Sequence, residues 1–195
     1  MDIRLSHTVG PTERPLLEMT IGDNFDRTAA RFPEREALVD VPTGRRWTYA
    51  GLRADVDALA SALLEEGIVP GDRVAIWAPN CPEWVLVQFA AAKVGAILVN
   101  LNPAYRAHEL EYVLTQAGIR LMFAVPSFKT SDYEAVVAEV SPRCPGLDRV
   151  IIFGSDEWAS LLIRGDQASS ERLTEVQAVL SPDDPINIQY TSGTT

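Results

Sequence analysis

The sequence has few of the residues that build metal centres and disulfide frameworks. Its 195 residues include only two cysteines, Cys81 and Cys144, and only two histidines, His7 and His108. The cysteines lie far apart and form no Cys-x-x-Cys pair, so we expect no structural zinc site and no other metal site. Two isolated cysteines are typical of a reducing compartment, which predicts free thiols and a cytoplasmic protein.

The sequence also lacks a long apolar run and an excess of positive charge. The longest weakly charged stretch, residues 84–101, contains Lys93 and Asn100 and is typical of a buried helix followed by a buried strand. We therefore expect no transmembrane segment, and the N-terminus has no apolar segment of a secretory signal. The formal net charge of −10 argues against a nucleic-acid partner. A nucleotide site remains compatible with it, because such sites use local donors.

Two common nucleotide-binding motifs are absent as well. No segment has the spacing GxxxxGK[ST], which excludes a Walker A loop. The glycines form no GxGxxG pattern, which removes the dinucleotide-binding fingerprint.

Short apolar runs alternate with amphipathic segments of helical length from residue 21 onward. The predicted helices cover residues 21–32, 48–66, 82–94, 107–117, 132–140 and about 173–180. The predicted strands cover residues 73–77, 96–99, 121–125, 150–153 and 186–190, with a β-hairpin at 37–41 and 45–49. This alternation predicts an α/β fold with a mostly parallel sheet flanked by helices. Residues 1–20 are expected to be irregular, and residues 21–195 to form one lobe.

The sequence also predicts the structural roles of several individual side chains. Thr48 is expected to cap the second helix, and Asn80 with Glu83 to form a capping pair at the start of the third. Lys93 is expected near the C-terminus of that third helix, where a cation complements the helix dipole. Residues 155–185 are the most polar part of the chain and are expected to be the least regular. Asp183 and Asp184 are expected to form a turn or cap rather than a magnesium site.

The last six residues, Tyr-Thr-Ser-Gly-Thr-Thr, carry the clearest chemical pattern. They present four side-chain hydroxyls around one glycine, directly after an alternating apolar stretch. Glycine permits close backbone approach, and hydroxyls and amides donate to anionic oxygens. The motif is therefore typical of a loop that binds phosphate.

These six residues resemble the opening of the phosphate-loop signature of the adenylate-forming superfamily. That superfamily comprises acyl- and aryl-CoA synthetases, peptide-synthetase adenylation domains and luciferases. Residues 47–52, 71–84 and 93–103 resemble the family's early helix start and its first two core segments. Residues 102–114 and 126–133 are most similar to fatty-acyl-CoA synthetases. The resemblance extends from about residue 20 to the end of the sequence.

The resemblance implies an acid–thiol ligase, an acyl-CoA synthetase that uses ATP, Mg²⁺ and CoA and acts on a carboxylic acid. The subgroup resemblance implies that this acid is a fatty acid. In that family a carboxylate attacks the α-phosphorus of ATP to form acyl-AMP, and the CoA thiol then displaces AMP. The implied ligands of the ATP phosphates are Thr191, Ser192, Gly193, Thr194 and Thr195. Ser192 would act as a hydrogen-bond donor, and no catalytic residue of the family falls within these 195 residues.

The sequence departs from the family pattern after Thr195. The glycine, proline and lysine that complete the family's loop are not present, nor are its adenine-binding segment and C-terminal domain. We therefore expect a truncated N-terminal lobe that is inactive alone, binds no cofactor tightly and self-associates through the surface exposed at the truncation. The alternatives are a fragment of an aryl-CoA ligase, a fatty-acyl-AMP ligase or a peptide-synthetase adenylation domain. An alternative of another class is a non-catalytic structural or interaction fragment.

Overall fold

Strands and helices alternate along the chain in the computed structural model, which describes residues 10, 13 and 16–191. The helices are α1 (Ile21–Arg31), α2 (Tyr49–Glu65), α3 (Pro82–Lys93), α4 (Ala107–Gln116), α5 (Tyr133–Val140), α6 (Asp156–Gln167) and α7 (Ser170–Gln177). The strands are β1 (Glu36–Val39), β2 (Arg46–Thr48), β3 (Arg73–Trp77), β4 (Ile97–Asn100), β5 (Ile119–Ala124), β6 (Ser127–Phe128), β7 (Ser131–Asp132), β8 (Arg149–Ile152) and β9 (Asn187–Gln189).

Five parallel strands form the central sheet in the order β8-β5-β3-β4-β9. Ala75 of β3 pairs with Val99 of β4 on one side and with Met122 of β5 on the other. The β1–β2 hairpin is antiparallel, and so is the short β6–β7 pair. The prediction of an α/β fold with a mostly parallel sheet flanked by helices is confirmed.

The two faces of the sheet are covered by different helices. Val74 and Ile76 of β3 belong to a core shared with α1, α2, α3 and α6, whereas Ala75 and Trp77 belong to a second core shared with α4 and α5. Successive strand residues point to opposite faces, so a run of four apolar residues serves both cores. The sheet is therefore buried on both sides.

The predicted helix starts are partly confirmed. The Thr48 hydroxyl accepts from the Gly51 N–H at 3.1 Å and caps α2 as expected. The capping pair predicted for α3 is wrong, because its N-cap is Cys81 and no side chain caps it. The Glu83 carboxylate instead accepts from Arg45 of the hairpin at 2.8 Å. Glu83 thus forms an ion pair across 38 residues of sequence in place of the predicted local capping contact.

Lys93 is the last residue of α3, as predicted, but it is buried in a group of charges that the sequence did not predict. Its side chain is only 1% exposed, and its ammonium contacts Asp26 at 2.6 Å and also contacts Asp57. Arg53 approaches Asp26 at 3.0 Å, and Gln177 donates to the same carboxylate at 3.2 Å. This cluster, in which Lys93 is fully buried and its partners are partly exposed, joins α1, α2, α3 and α7.

The expectation of an irregular segment from Ser155 to Pro185 is also wrong. The Ser155 hydroxyl caps α6 by accepting from the Trp158 N–H at 3.1 Å, and Leu161 of α6 is fully buried. The helix expected near residues 173–180 is α7, which begins and ends three residues earlier. The signal for α6 is a serine N-cap followed by two acidic residues, which is a typical helix start. No helix in the described part of the chain is long and apolar enough to cross a membrane.

Candidate phosphate-binding site

The candidate site lies at the carboxyl edge of the sheet. The helix that follows β3 packs on one face of the sheet and the helix that follows β4 packs on the other. Where the connections of neighbouring parallel strands diverge in this way, they leave a crevice at the carboxyl ends of those strands. Strand β9 pairs in parallel with β4, with Asn100 opposite Gln189. The loop after β4 and the residues after β9 therefore leave the sheet at the same edge.

Of the five residues predicted to bind phosphate, the structure describes one. Thr191 is exposed and lies directly beyond β9 and Tyr190. The other four, Ser192, Gly193, Thr194 and Thr195, lie outside the described residues, so their role stays a prediction. The Tyr190 hydroxyl donates to the Gln116 side chain of α4 at 2.9 Å. That bond ties the end of the strand to α4 immediately before the predicted loop.

A cavity of about 840 Å³ opens beside Thr191. We call it the tyrosine cavity, because its wall includes Tyr105, Tyr112 and Tyr190, together with Asn102, His108 and Thr191. Burial raises the pKa of Tyr190, and the neighbouring phenols Tyr112 and Tyr105 raise it further. Tyr190 therefore stays neutral at physiological pH and can donate a hydrogen bond. His108 is exposed at the start of α4.

A second cavity, of about 720 Å³, adjoins the first. We call it the basic cavity, because Arg106 and Lys129 line it, together with Asn102, Phe128, Thr130 and Ser131. Both cations are exposed, and neither belongs to an ion pair among the described residues. Lys129 lies in the β6–β7 turn at φ 55°, with its ammonium 5.3 Å from the centre of the Phe128 ring. Two uncompensated cations in a chain of net charge −10 favour an anionic ligand.

Sequence reasoning missed the basic cavity because its two cations come from separate elements. Arg106 immediately precedes α4, and Lys129 lies in a short hairpin 23 positions later in the chain. Neither residue belongs to a recognisable anion-binding motif. The sequence in fact suggests local neutralisation, because Glu109 and Asp132 each lie three positions after one of the two cations.

The carboxylates near the terminal strand have a structural role, as the sequence predicts. The Asp184 carboxylate accepts from the Ser181 N–H at 2.8 Å, which closes the turn before β9. Among residues 16–191, no group of three or more histidine, cysteine, aspartate or glutamate side chains is arranged to hold a metal ion.

Comparisons with known proteins agree with this geometry. A model of the AMP-binding enzyme family matches residues 25–195. The medium-chain acyl-CoA ligase ACSF2, mitochondrial, of Macaca fascicularis is 41% identical over 210 residues, covering 98% of this chain and 34% of that relative. The acyl-CoA ligase sidI of Aspergillus fumigatus is 38% identical over 202 residues, with the same coverage of 98% and 34%.

A solved structure shows the same fold. The Mycobacterium tuberculosis fatty acyl CoA synthetase superposes with a TM-score of 0.75 at 28% identity, covering 89% of this chain and 32% of that one. The chain spans about a third of the length of the relatives it matches. The parallel sheet, the terminal hydroxyl motif and the family match lead to one assignment. This chain belongs to the AMP-binding enzyme family, the adenylate-forming superfamily that its sequence resembles.

Proposed function

We propose that this chain is the N-terminal part of an ATP-dependent acyl-CoA synthetase that activates a fatty or other apolar carboxylic acid. The observation that carries the proposal is the position of Thr191, at the carboxyl edge of a parallel sheet and beside a cavity large enough for a ligand. The names of the relatives favour an aliphatic acyl substrate over an aryl one.

The hydroxyls and backbone amides of residues 191–195 would bind the β- and γ-phosphates of ATP. Their task is positioning and charge neutralisation, because the substrate carboxylate itself attacks the α-phosphorus and pyrophosphate leaves. Ser192 acts there as a donor and forms no covalent intermediate, since none of the residues in this motif can serve as its base.

The basic cavity suits the second half-reaction. CoA carries several phosphate groups, and Arg106 with Lys129 presents two positive charges at one opening. Charge-assisted hydrogen bonds to phosphate are the strongest contacts that such side chains make. We assign the CoA phosphates to this cavity.

Mg²⁺ would accompany ATP and neutralise part of the charge on its phosphate oxygens. Because the described residues contain no metal-binding cluster, we assign no magnesium ligand to them. We also propose that the 195-residue chain binds no cofactor tightly and is inactive alone, since the relatives are about three times longer. Self-association and a cytoplasmic location remain predictions; the ACSF2 relatives carry the word mitochondrial in their names.

The reaction is testable with a longer protein that contains this chain. Octanoate, ATP and CoA are expected to yield octanoyl-CoA, AMP and pyrophosphate, whereas benzoate is expected to react poorly. Accumulation of acyl-AMP without thioester would favour a fatty-acyl-AMP ligase, and a preference for benzoate would favour an aryl-CoA ligase. Carboxylate-dependent exchange of pyrophosphate into ATP by the 195-residue chain would contradict its predicted inactivity.

Thr191→Val tests the phosphate role of the one described loop residue. This change removes a hydroxyl and keeps the side-chain shape, so we expect pyrophosphate exchange in the longer protein to fall about 10- to 150-fold, the worth of a hydrogen bond to a charged group. Thr174→Val is the matched control, because its hydroxyl bonds only to Ser170 within α7. Equal exchange rates for the two variants would show that the Thr191 hydroxyl does not bind phosphate.

A further inference from the structure

Two buried aromatic residues form a stacked pair beneath the candidate site. Trp77 at the end of β3 and Tyr133 at the start of α5 are both fully buried. Their ring centres are 3.6 Å apart, and the ring planes differ by 5°. Stacking alone would be consistent with two residues that only fill the core.

The polar atoms of the pair have a more specific arrangement. The Trp77 indole N–H donates to the Asn102 carbonyl at 3.0 Å, and the Tyr133 hydroxyl donates to the Pro103 carbonyl at 2.5 Å. Two side chains from separate elements thus hold two consecutive carbonyls of one loop. Burial raises the pKa of Tyr133, so its phenol keeps the proton that it donates.

The loop held in this way is residues 102–106, and it folds tightly on itself. The Tyr105 N–H donates to the Asn102 carbonyl and the Ala104 N–H to the Asn102 side chain, both at 2.9 Å. The Asn102 carbonyl therefore accepts one bond from inside the loop and one from Trp77. Releasing the indole or the phenol would free the backbone that shapes this turn.

The same loop is the wall between the two cavities. Asn102, Ala104 and Tyr105 line both the tyrosine cavity and the basic cavity. Thr191 reaches the tyrosine cavity from β9 and is held separately through Tyr190. Arg106, in contrast, is the last residue of the loop, so its position depends on where the loop is held.

We propose that Trp77 and Tyr133 are positioning residues that hold the 102–106 loop and thereby place Arg106 in the basic cavity for an anionic ligand. The identity of that ligand as the CoA phosphates rests on the proposed function. The claim that the two donors hold the loop is independent of the proposed function. Phenylalanine at either position would fill much of the same space, but it has no N–H or O–H to donate.

Tyr133→Phe removes only the hydroxyl oxygen. In the 195-residue chain it tests whether the Tyr133 hydrogen bond holds the 102–106 loop. We expect amide exchange at Ala104 and Tyr105 to accelerate roughly 2- to 10-fold more than exchange in β3 and β5, the effect of one lost hydrogen bond. Trp77→Phe is expected to act on the same amides. Tyr49→Phe is the control, because Tyr49 packs on the opposite core and no hydrogen bond of its hydroxyl is found among the described residues. Equal acceleration throughout the sheet and loop, or none in the loop, would overturn the proposal.

The functional part is tested in the longer protein. Tyr133→Phe is expected to raise KM for CoA roughly 2- to 10-fold, while pyrophosphate exchange, which needs no CoA, stays within about twofold of wild type. A rise in KM for ATP without a rise for CoA would overturn the assignment of Arg106 to CoA. If wild-type protein shows no exchange at all, the proposed function fails, and the amide-exchange result still decides whether the two residues hold the loop.

Discussion

Lys93→Ala is expected to lower the free energy of unfolding by about 3 kcal/mol, the lower end of the cost of breaking a buried ion pair from one side, because the carboxylates left behind are partly exposed. The ammonium is 1% exposed and lies between Asp26 and Asp57, whose side chains are 21% and 34% exposed. Without it, two carboxylates from α1 and α2 face each other with Arg53 as their remaining cation. Urea unfolding of the 195-residue chain, followed by circular dichroism, measures the loss.

Two further variants separate the possible causes. Lys93→Met keeps most of the side-chain volume, so a similar loss would assign the effect to charge rather than packing. Arg143→Ala is the control, because its ion pairs with Glu111 and Glu139 are exposed to solvent and contribute little to stability. A role limited to the helix dipole would cost only about 0.3–1 kcal/mol. If Lys93→Ala lowers the free energy of unfolding no more than Arg143→Ala does, the buried position of Lys93 between the two carboxylates is contradicted.

Gly165→Ala is expected to destabilise the chain by about 3 kcal/mol, at the upper end of the range for overpacking. A Cβ atom at this position would lie 1.8 Å from the Ala58 carbonyl oxygen of α2 and 3.0 Å from the Ala62 methyl group. The closest neighbour is backbone, so α6 and α2 would have to move apart by about 1 Å. Loosened packing between these helices would expose part of the core that Trp158 and Leu161 help to fill.

The matched control is another helical glycine that has space around it. A Cβ atom at Gly51 would lie 3.6 Å from the Thr48 hydroxyl, an ordinary contact. Alanine favours the helical state by about 1 kcal/mol relative to glycine, so Gly51→Ala is expected to be neutral or stabilising. The midpoint of urea unfolding should therefore fall for Gly165→Ala and stay unchanged or rise for Gly51→Ala. Similar midpoints would show that α6 does not approach α2 this closely.

Much of the fold could be predicted because its signals are local. Each core strand is a short apolar run, and Thr48 caps α2 within three residues of itself. The predictions that failed involve competition over long distances in sequence. Glu83 pairs with Arg45 instead of capping α3, and Lys93 is buried because α1 and α2 bring carboxylates to it. The helix α6 was missed because its polar surface dominates its composition, although Trp158 and Leu161 are buried.

The sequence by itself determined the class of fold, the hydroxyl-rich motif at residues 190–195 and the resemblance to adenylate-forming enzymes. These depend on the order and spacing of nearby residues, which the chain carries without folding. Only the tertiary structure decided that the loop after β4 lies beside Thr191, because parallel strands 89 positions apart pair in register. It also decided that Trp77 and Tyr133 share one loop as their acceptor. Such contacts arise from strand order and helix packing, which no single stretch of sequence specifies.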